Sequence, residues 1–171
     1  IGGADDFAFK ANSFEVQTGS KIDLNGTELV LDADADSSIT ADTDDQIDFN
    51  TGGTDRFQIT TANAKFNVGA YNAEATLTDA STISWDVSTS PVAKVTLGAN
   101  RTLGAGTNAQ AGQFVSLLII QDGTGSRTVT FNAAYEFKDD TAPTLTTTAA
   151  KGDLFVFRYN GSKFLEVGRN Q

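Results

Sequence analysis

Residues Leu29 to Gly53 read LVLDADADSSITADTDDQIDFNTGG. The stretch has no Lys or Arg, and its apolar residues come in short clusters: Leu29-Val30-Leu31, Ile39, Ile47-Asp48-Phe49, then Phe57-Gln58-Ile59 just beyond it. The interval is about 8–10 residues, the spacing of short strands separated by turns. Within a cluster the apolar residues stand two apart, which puts them on one face of a strand. Each step offers one or two inward residues, so no cluster can build a core alone.

The cadence extends on both sides. Gly2-Gly3-Ala4-Asp5-Asp6-Phe7-Ala8-Phe9 matches Gly52-Gly53-Thr54-Asp55-Arg56-Phe57-Gln58-Ile59. Ala11-Asn12-Ser13-Phe14-Glu15-Val16 then matches Ala62-Asn63-Ala64-Lys65-Phe66-Asn67-Val68, with Lys65 as an extra residue. A Gly-Gly turn leads into an alternating strand in both copies, and glycine supplies the positive φ such turns need. Finer steps fill the copy: Phe14/Val16, Ile22/Leu24, Leu29/Leu31, Ile39, Ile47/Phe49 and Phe66/Val68. Because Ile1 aligns with Thr51, the repeat is expected to continue upstream. Repeats of this length point to solenoids or arrays. The thin core is relieved if identical chains pool their apolar faces around a shared axis, as in an intertwined trimeric β-helix or β-prism shaft. The expected contributors to that axis are Leu29, Leu31, Ile39, Ile47, Phe49, Phe57 and Ile59. A single-chain β-solenoid is the alternative.

Composition narrows the chemistry. The 171 residues are 39% hydrophobic, with 12 Phe, 16 Gly and 2 Pro. They are rich in Thr, Asn and Asp and lack helical Leu/Glu/Lys runs, so the chain reads as all-β. There is no Cys, which excludes disulfides and thiolate metal sites, and no His, which removes the commonest general base and metal ligand. No apolar run approaches the roughly 18 residues of a membrane-spanning helix. The net charge of −10 is uneven: residues 1–70 carry 13 acidic and 4 basic side chains, residues 71–171 carry 9 and 8. An acidic first half argues against nucleic acid as a partner and favours solubility through like-charge repulsion.

The cadence stops near Gly69–Asp79, GAYNAEATLTD, and longer strands follow. Ile83-Ser84-Trp85-Asp86-Val87 alternates strictly, Val92–Leu97 is a second strand behind Pro91, and Arg101-Thr102-Leu103 a third. Gly104–Gly112, GAGTNAQAG, reads as a small-residue loop. Phe114–Gln121, FVSLLIIQ, is the most apolar strand and the expected centre of a globular core. Asp122–Ser126 is expected to turn a hairpin into Arg127–Phe131. Tyr135–Phe137 is a short strand, and Asp139–Ala150 a Thr/Ala-rich loop or edge. Asp153–Tyr159 and Lys163–Val167 make a final hairpin across Asn160-Gly161-Ser162. This set fits a β-sandwich of jelly-roll type. The expected architecture is therefore a repetitive acidic β shaft over 1–70 and a β-sandwich head over 71–171.

The segments ELVLDADADSSITADTDDQIDFNTGGTDRFQI, STISWDVSTSPVAKVTLGANRTL, LLIIQDGTGSRTVTF and TAPTLTTTAAKGDLFVFRYNGSKFLEVGRNQ together resemble structural proteins of bacteriophages, marine phages especially. The second half is similar to C-terminal domains of phage tail fibres and other virion appendages. That resemblance implies a homotrimer with a shaft and a distal β-rich head, located in the virion and contacting other virion proteins. It also implies a host-surface glycan or protein as target. A capsid fibre or decoration protein with a purely structural role, and a glycan-degrading tailspike, are the alternatives.

Candidate sites are few. Asp32, Asp34 and Asp36 alternate, and hard cations want several oxygen ligands. The spacing imitates the start of an EF-hand loop without its glycine or closing glutamate, so a solvated acidic face that blocks edge-to-edge aggregation is the competing reading. A glycosidase needs two carboxylates about 5–9 Å apart. Among 22 acidic residues such pairs are inevitable, and no catalytic residue, enzyme activity or cofactor is assigned. Trp85, Tyr135, Tyr159 and Phe164 fill strand faces and are expected in the core rather than as sugar platforms. Arg127, Arg158 and Arg169 read as solvated or inter-subunit cations. Loops on a rigid scaffold commonly carry recognition, which makes Asn108, Gln110, Asp139, Asp140 and Thr141 the binding candidates.

Overall fold

Two-residue turns and β-branched, aromatic strands dictate a chain of short strands, and strands are what forms. The structure, a computed structural model, describes Thr18, residues 28–41 and residues 43–170. The first repeat copy, Gly2–Phe9 with Ala11–Val16, and the Ile22/Leu24 step lie outside the described residues. The chain divides into two compact units, one ending at Ala70 and one beginning at Tyr71.

In the first unit, β1 (Leu29–Val30), β2 (Ser38–Thr40), β3 (Gln46–Thr51), β4 (Thr54–Thr60) and β5 (Ala64–Phe66) make one antiparallel sheet in sequence order. Gly52 and Gly53, at φ +60° and +63°, form the tight turn between β3 and β4; both central residues of such a turn need positive φ. At the next turn, Thr60 Oγ1 accepts the N–H groups of Ala62 and Asn63. Turns this short reverse the chain in place, so each strand pairs with its successor. The described strands thus form an open meander rather than the winding of a β-helix.

The second unit contains β6 (Ala75–Thr76), β7 (Thr82–Asp86), β8 (Val92–Leu97), β9 (Arg101–Thr107), β10 (Phe114–Gln121), β11 (Val129–Phe131), β12 (Tyr135–Glu136), β13 (Gly152–Tyr159) and β14 (Phe164–Asn170). One 3-10 turn, Lys138–Asp140, is its single helical element among the described residues. One sheet runs β12-β14-β13-β10-β8-β6, the other β11-β9-β7, and neither closes. From β6 to β12 the chain crosses between sheets at each step. As a result β6, β8 and β10 lie parallel in one sheet, and β7, β9 and β11 parallel in the other. The β13–β14 hairpin then pairs antiparallel with β10, and β12 runs parallel to β14.

This corrects the jelly-roll expectation, since a jelly roll is an antiparallel Greek-key fold. Two sheets do share one core, but five of the seven strand pairings are parallel. The Asp122–Ser126 turn is the instructive case. It links β10 to β11 across the two sheets rather than in a hairpin. Buried Gln121 explains why: its Oε1 accepts Arg127 N–H at 2.7 Å and its Nε2 donates to Arg127 O at 3.0 Å. The side chain satisfies the backbone that a hairpin ladder would have served. Asp122 fixes the rest, with Oδ1 accepting from Thr124 and Gly125 and Oδ2 pairing with Arg127 at 2.7 Å.

The expected loop over Gly104–Gly112 is also corrected, because β9 extends through Thr107. Its small residues are required by packing. A Cβ on Gly106 would lie 2.6 Å from the Phe164 ring, and one on Gly104 3.2 Å from Ile83 O. Phe164 belongs to the core cluster with Trp85, Phe155, Phe157, Leu117 and Ile83, drawn from both sheets. Trp85 donates its indole N–H to Ser90 O at 2.7 Å, which satisfies the one polar atom of the largest core residue. β10 sits inside the larger sheet, as its apolar run implied. The Asn160-Gly161-Ser162 turn closes the final hairpin, with Asn160 Oδ1 accepting the N–H groups of Ser162 and Lys163.

Candidate functional site

Cross-strand register brings the spaced clusters of the first unit into rows. Leu29 pairs with Ile39, Ile39 with Phe49, Phe49 with Phe57, and Phe57 with Phe66, so one row spans all five strands. Ile47 and Ile59 pair in the adjacent row, two residues along β3 and β4 and therefore on the same face. Phe49 and Phe57 have ring centroids 5.6 Å apart, and Phe57 and Phe66 4.8 Å. Leu31 lies just past β1 and is exposed. Phe66 completes the row, and its signal was the Phe66/Val68 step.

The face these residues form is open. Ile47 is 44% exposed, Phe49 37% and Phe66 61%. Polar Ser38 and Asp48, at 3% and 2% exposure, are buried instead. Asp48 accepts hydrogen bonds from Gln46 Nε2 (2.7 Å) and Gln58 Nε2 (2.8 Å), and Asn67 Nδ2 continues the network to Gln58 Oε1. A carboxylate is tolerated there because its oxygens are bonded. The side chains left facing solvent are those with the most to gain from being covered.

Asp32, Asp34 and Asp36 do converge, with ligand atoms within 4.8 Å of one another and all three exposed. They sit in the turn between β1 and β2, not along an extended strand, and Asp32 Oδ1 accepts Ser37 N–H. Hydrogen bonding to Ser37 holds the Asp32 carboxyl below the usual range. At one oxygen each, three exposed carboxylates supply half or fewer of the six to eight oxygens that Ca²⁺ takes.

In the second unit the loop candidates separate. Asn108 donates from Nδ2 to Asp86 Oδ2 at 2.8 Å; the Ser88 hydroxyl first, and then Asn108, hold the Asp86 carboxyl below its usual range. Gln110 exchanges hydrogen bonds with Gln113. Both residues hold their own loop in place. Asp139 and Asp140 are consecutive at φ +57° and +53°, the left-handed region that non-glycine residues rarely adopt. Thr141 Oγ1 donates to Asp139 O. Asp140 lines a cavity of about 320 Å³ with Glu136 at its rim and Phe131 and Phe137 in its wall; neither Asn108 nor Gln110 reaches it. Lys163 donates to Ala133 O beside this cavity.

The aromatic residues behave as core. Burial pushes the Tyr135 phenol above its usual range, and its OH donates to Gly104 O at 3.1 Å. Asp153, whose carboxyl burial pushes upward, is wholly buried and accepts Thr146 N–H at 2.9 Å. A general acid sealed there cannot meet a polysaccharide. Of the arginines, Arg127 is bound to Asp122, and Arg169 lies 2.5 Å from Glu166. Arg101 forms a two-pronged pair with Asp79, which holds that carboxyl below its usual range.

No curated protein matches the chain. The winding core of the second unit is where a known family appears. Residues 83–163, from Ile83 in β7 to Lys163 just before β14, match the family described as "Putative phage tail fibre C-terminal domain".

Proposed function

We propose that this chain is part of a phage tail fibre that associates with copies of itself through the uncovered face of the β1–β5 sheet and presents its second unit for attachment to a host surface. The observation that carries the reading is the single apolar row Leu29–Ile39–Phe49–Phe57–Phe66, open to solvent on a sheet whose opposite side is polar. A patch of this kind marks an interaction surface. Its occupant is a second and third copy: three such sheets packed apolar face inward form a β-prism, with the polar face turned away from the axis. Covering a half-exposed Leu, Ile or Phe stabilises by about 1–1.5 kcal/mol. Several such residues per chain therefore exceed the cost of association only when pooled. The role is mechanical and multivalent, because weak sites linked on one body bind far more tightly together. The family match supports tail over capsid and a structural role over catalysis.

The test is adsorption competition. Purified protein added before phage should block adsorption to host cells, and a monomeric Phe57→Asp variant should block far less. Equal blocking by the two forms would remove the multivalent mechanism. Release of reducing ends from host polysaccharide would instead make the protein a hydrolase.

A further inference from the structure

The two sheets of the second unit come together at β11 and β12, each the outermost strand of its sheet, joined by residues 132–134. At such an edge core rings reach the surface. Phe131 shares a row with Ile83 and Leu103. Those two are wholly buried, while Phe131 is only partly so. Its ring and that of Phe137, 4.8 Å apart and edge to face, stand in the wall of the cavity of about 320 Å³. The polar groups around this cavity are not spent on the fold. The carboxylates of Glu136 and Asp140 take part in no hydrogen bond or ion pair among the described residues. Asn132 Oδ1 accepts Ala134 N–H at 2.9 Å, which leaves its Nδ2 as a donor. Lys163 gives one of its three N–H groups to Ala133 O and keeps the others. The neighbouring cavity beside Lys138 differs, because there Glu166 and Arg169 bond each other.

We infer that this cavity is a subsite for an uncharged sugar ring. Donors and acceptors stand side by side in it, and that decides the ligand class. An anion would meet two carboxylates. A cation would meet Lys163 and leave the Asn132 and Lys163 donors unused. Hydroxyl groups both donate and accept, so a polyhydroxylated ring uses both sets, and its hydroxyls make strong bonds to ionised carboxylates. The face of the same ring carries C–H groups, which the aromatic wall of Phe131 and Phe137 can cover. The volume lies near the lower end for small-molecule sites, which suits a sugar ring and excludes a folded protein segment. The backbone agrees. Asp140 N–H donates to Phe137 O at 3.1 Å, and the turn this closes holds Asp139 and Asp140 in succession at positive φ. Asp tolerates that region better than most residues, yet such strain collects at ligand clamps, and here it brings Asp140 back to the ring wall. The inference rests on the attachment role proposed above and names its chemistry: the second unit takes a neutral saccharide rather than a protein or an acidic polymer.

The experiment is saturation-transfer NMR and titration calorimetry on the full chain. The probes are neutral oligosaccharides of glucose, galactose, mannose and N-acetylglucosamine, with oligogalacturonate and chitosan oligomers as acidic and cationic counterparts. Expected is binding of a neutral series in preference to both charged ones. Asp140→Asn and Glu136→Gln should each weaken it by about tenfold or more, while Asp34→Asn in the first unit leaves it unchanged. Asn tolerates the left-handed backbone as Asp does, so Asp140→Asn keeps the turn, and Glu136→Gln alters an exposed side chain of β12 without touching it. Three results overturn this inference: a neutral saccharide whose binding both cavity variants leave unchanged, preference for an acidic or cationic oligomer, or binding of none. Each leaves the attachment role standing if the protein still blocks phage adsorption. A protein that neither binds a saccharide nor blocks adsorption overturns both.

Discussion

Gly106→Ala tests the packing of the second unit at its tightest point. The added Cβ would lie 2.6 Å from Phe164 Cζ, 2.9 Å from Cε2 and 3.4 Å from Cε1, where carbon contacts settle at about 3.5–4.0 Å. The ring must retreat by about 1 Å, and it has nowhere to go. Phe164 is 1% exposed, with ring centroids 4.8 Å from Tyr159, 5.3 Å from Tyr135 and 6.5 Å from Trp85. Overpacking of this kind costs about 1–3 kcal/mol. For a unit of this size each kcal/mol moves the melting temperature by about 4–8 °C. Thermal unfolding followed by Trp85 fluorescence should therefore show a loss of about 5–20 °C. Gly106→Ala with Phe164→Leu should recover part of it, because the smaller side chain vacates the space the methyl takes. A loss under about 2 °C, or a double variant whose loss is the sum of the single losses, would refute the argument that β9 is glycine-rich for Phe164.

Three further outcomes are expected. Phe57→Asp puts a charge in the middle of the apolar row, and light scattering should show a smaller assembly while far-ultraviolet circular dichroism remains β; an unchanged mass contradicts the role given to that face. Asp122, held at about 2 by Arg127 and by the N–H groups of its turn, has a folded pKa below its unfolded one. Its contribution is present above about pH 4 and fades as the pH falls through 2, so Asp122→Asn should lower the melting temperature at pH 7 and leave little difference near pH 2. Asp153 has the opposite sign, because burial raises its pKa and stability falls as the pH climbs above the unfolded value. The melting temperature of Asp153→Asn relative to the parent should rise from pH 4 to pH 7, and a constant difference would show that the carboxyl does not titrate in the fold.

Much of the second unit was legible because its signals are local. Strict alternation placed Ile83, Trp85 and Val87 inward, and Asn160-Gly161 marked the last hairpin. What alternation cannot say is which strand is the partner. A period of two fixes the buried face and leaves the neighbour open, so the Asp122–Ser126 turn looked like a hairpin although Gln121 redirects it between sheets. Gly104–Thr107 looked like a loop for a related reason: smallness required at Gly106 by the distant Phe164 ring is indistinguishable in sequence from smallness of a flexible turn. Asn108 and Gln110 are candidates by loop position, yet the Asn108 side chain is bonded to Asp86 at the end of β7 and Gln110 is tied to Gln113 through its backbone. The Asp140 cavity depends on Phe131 and Phe137 meeting it in space. In the first unit the clusters predicted rows, and the register Leu29–Ile39–Phe49–Phe57–Phe66 shows how far one row extends.

The central claim is that the open face of the β1–β5 sheet is covered by copies of the same chain. Light scattering on the purified protein measures it most directly. The account predicts a mass three times 18.0 kDa, reduced by Phe57→Asp; a parent protein that stays at 18.0 kDa across the micromolar range contradicts it.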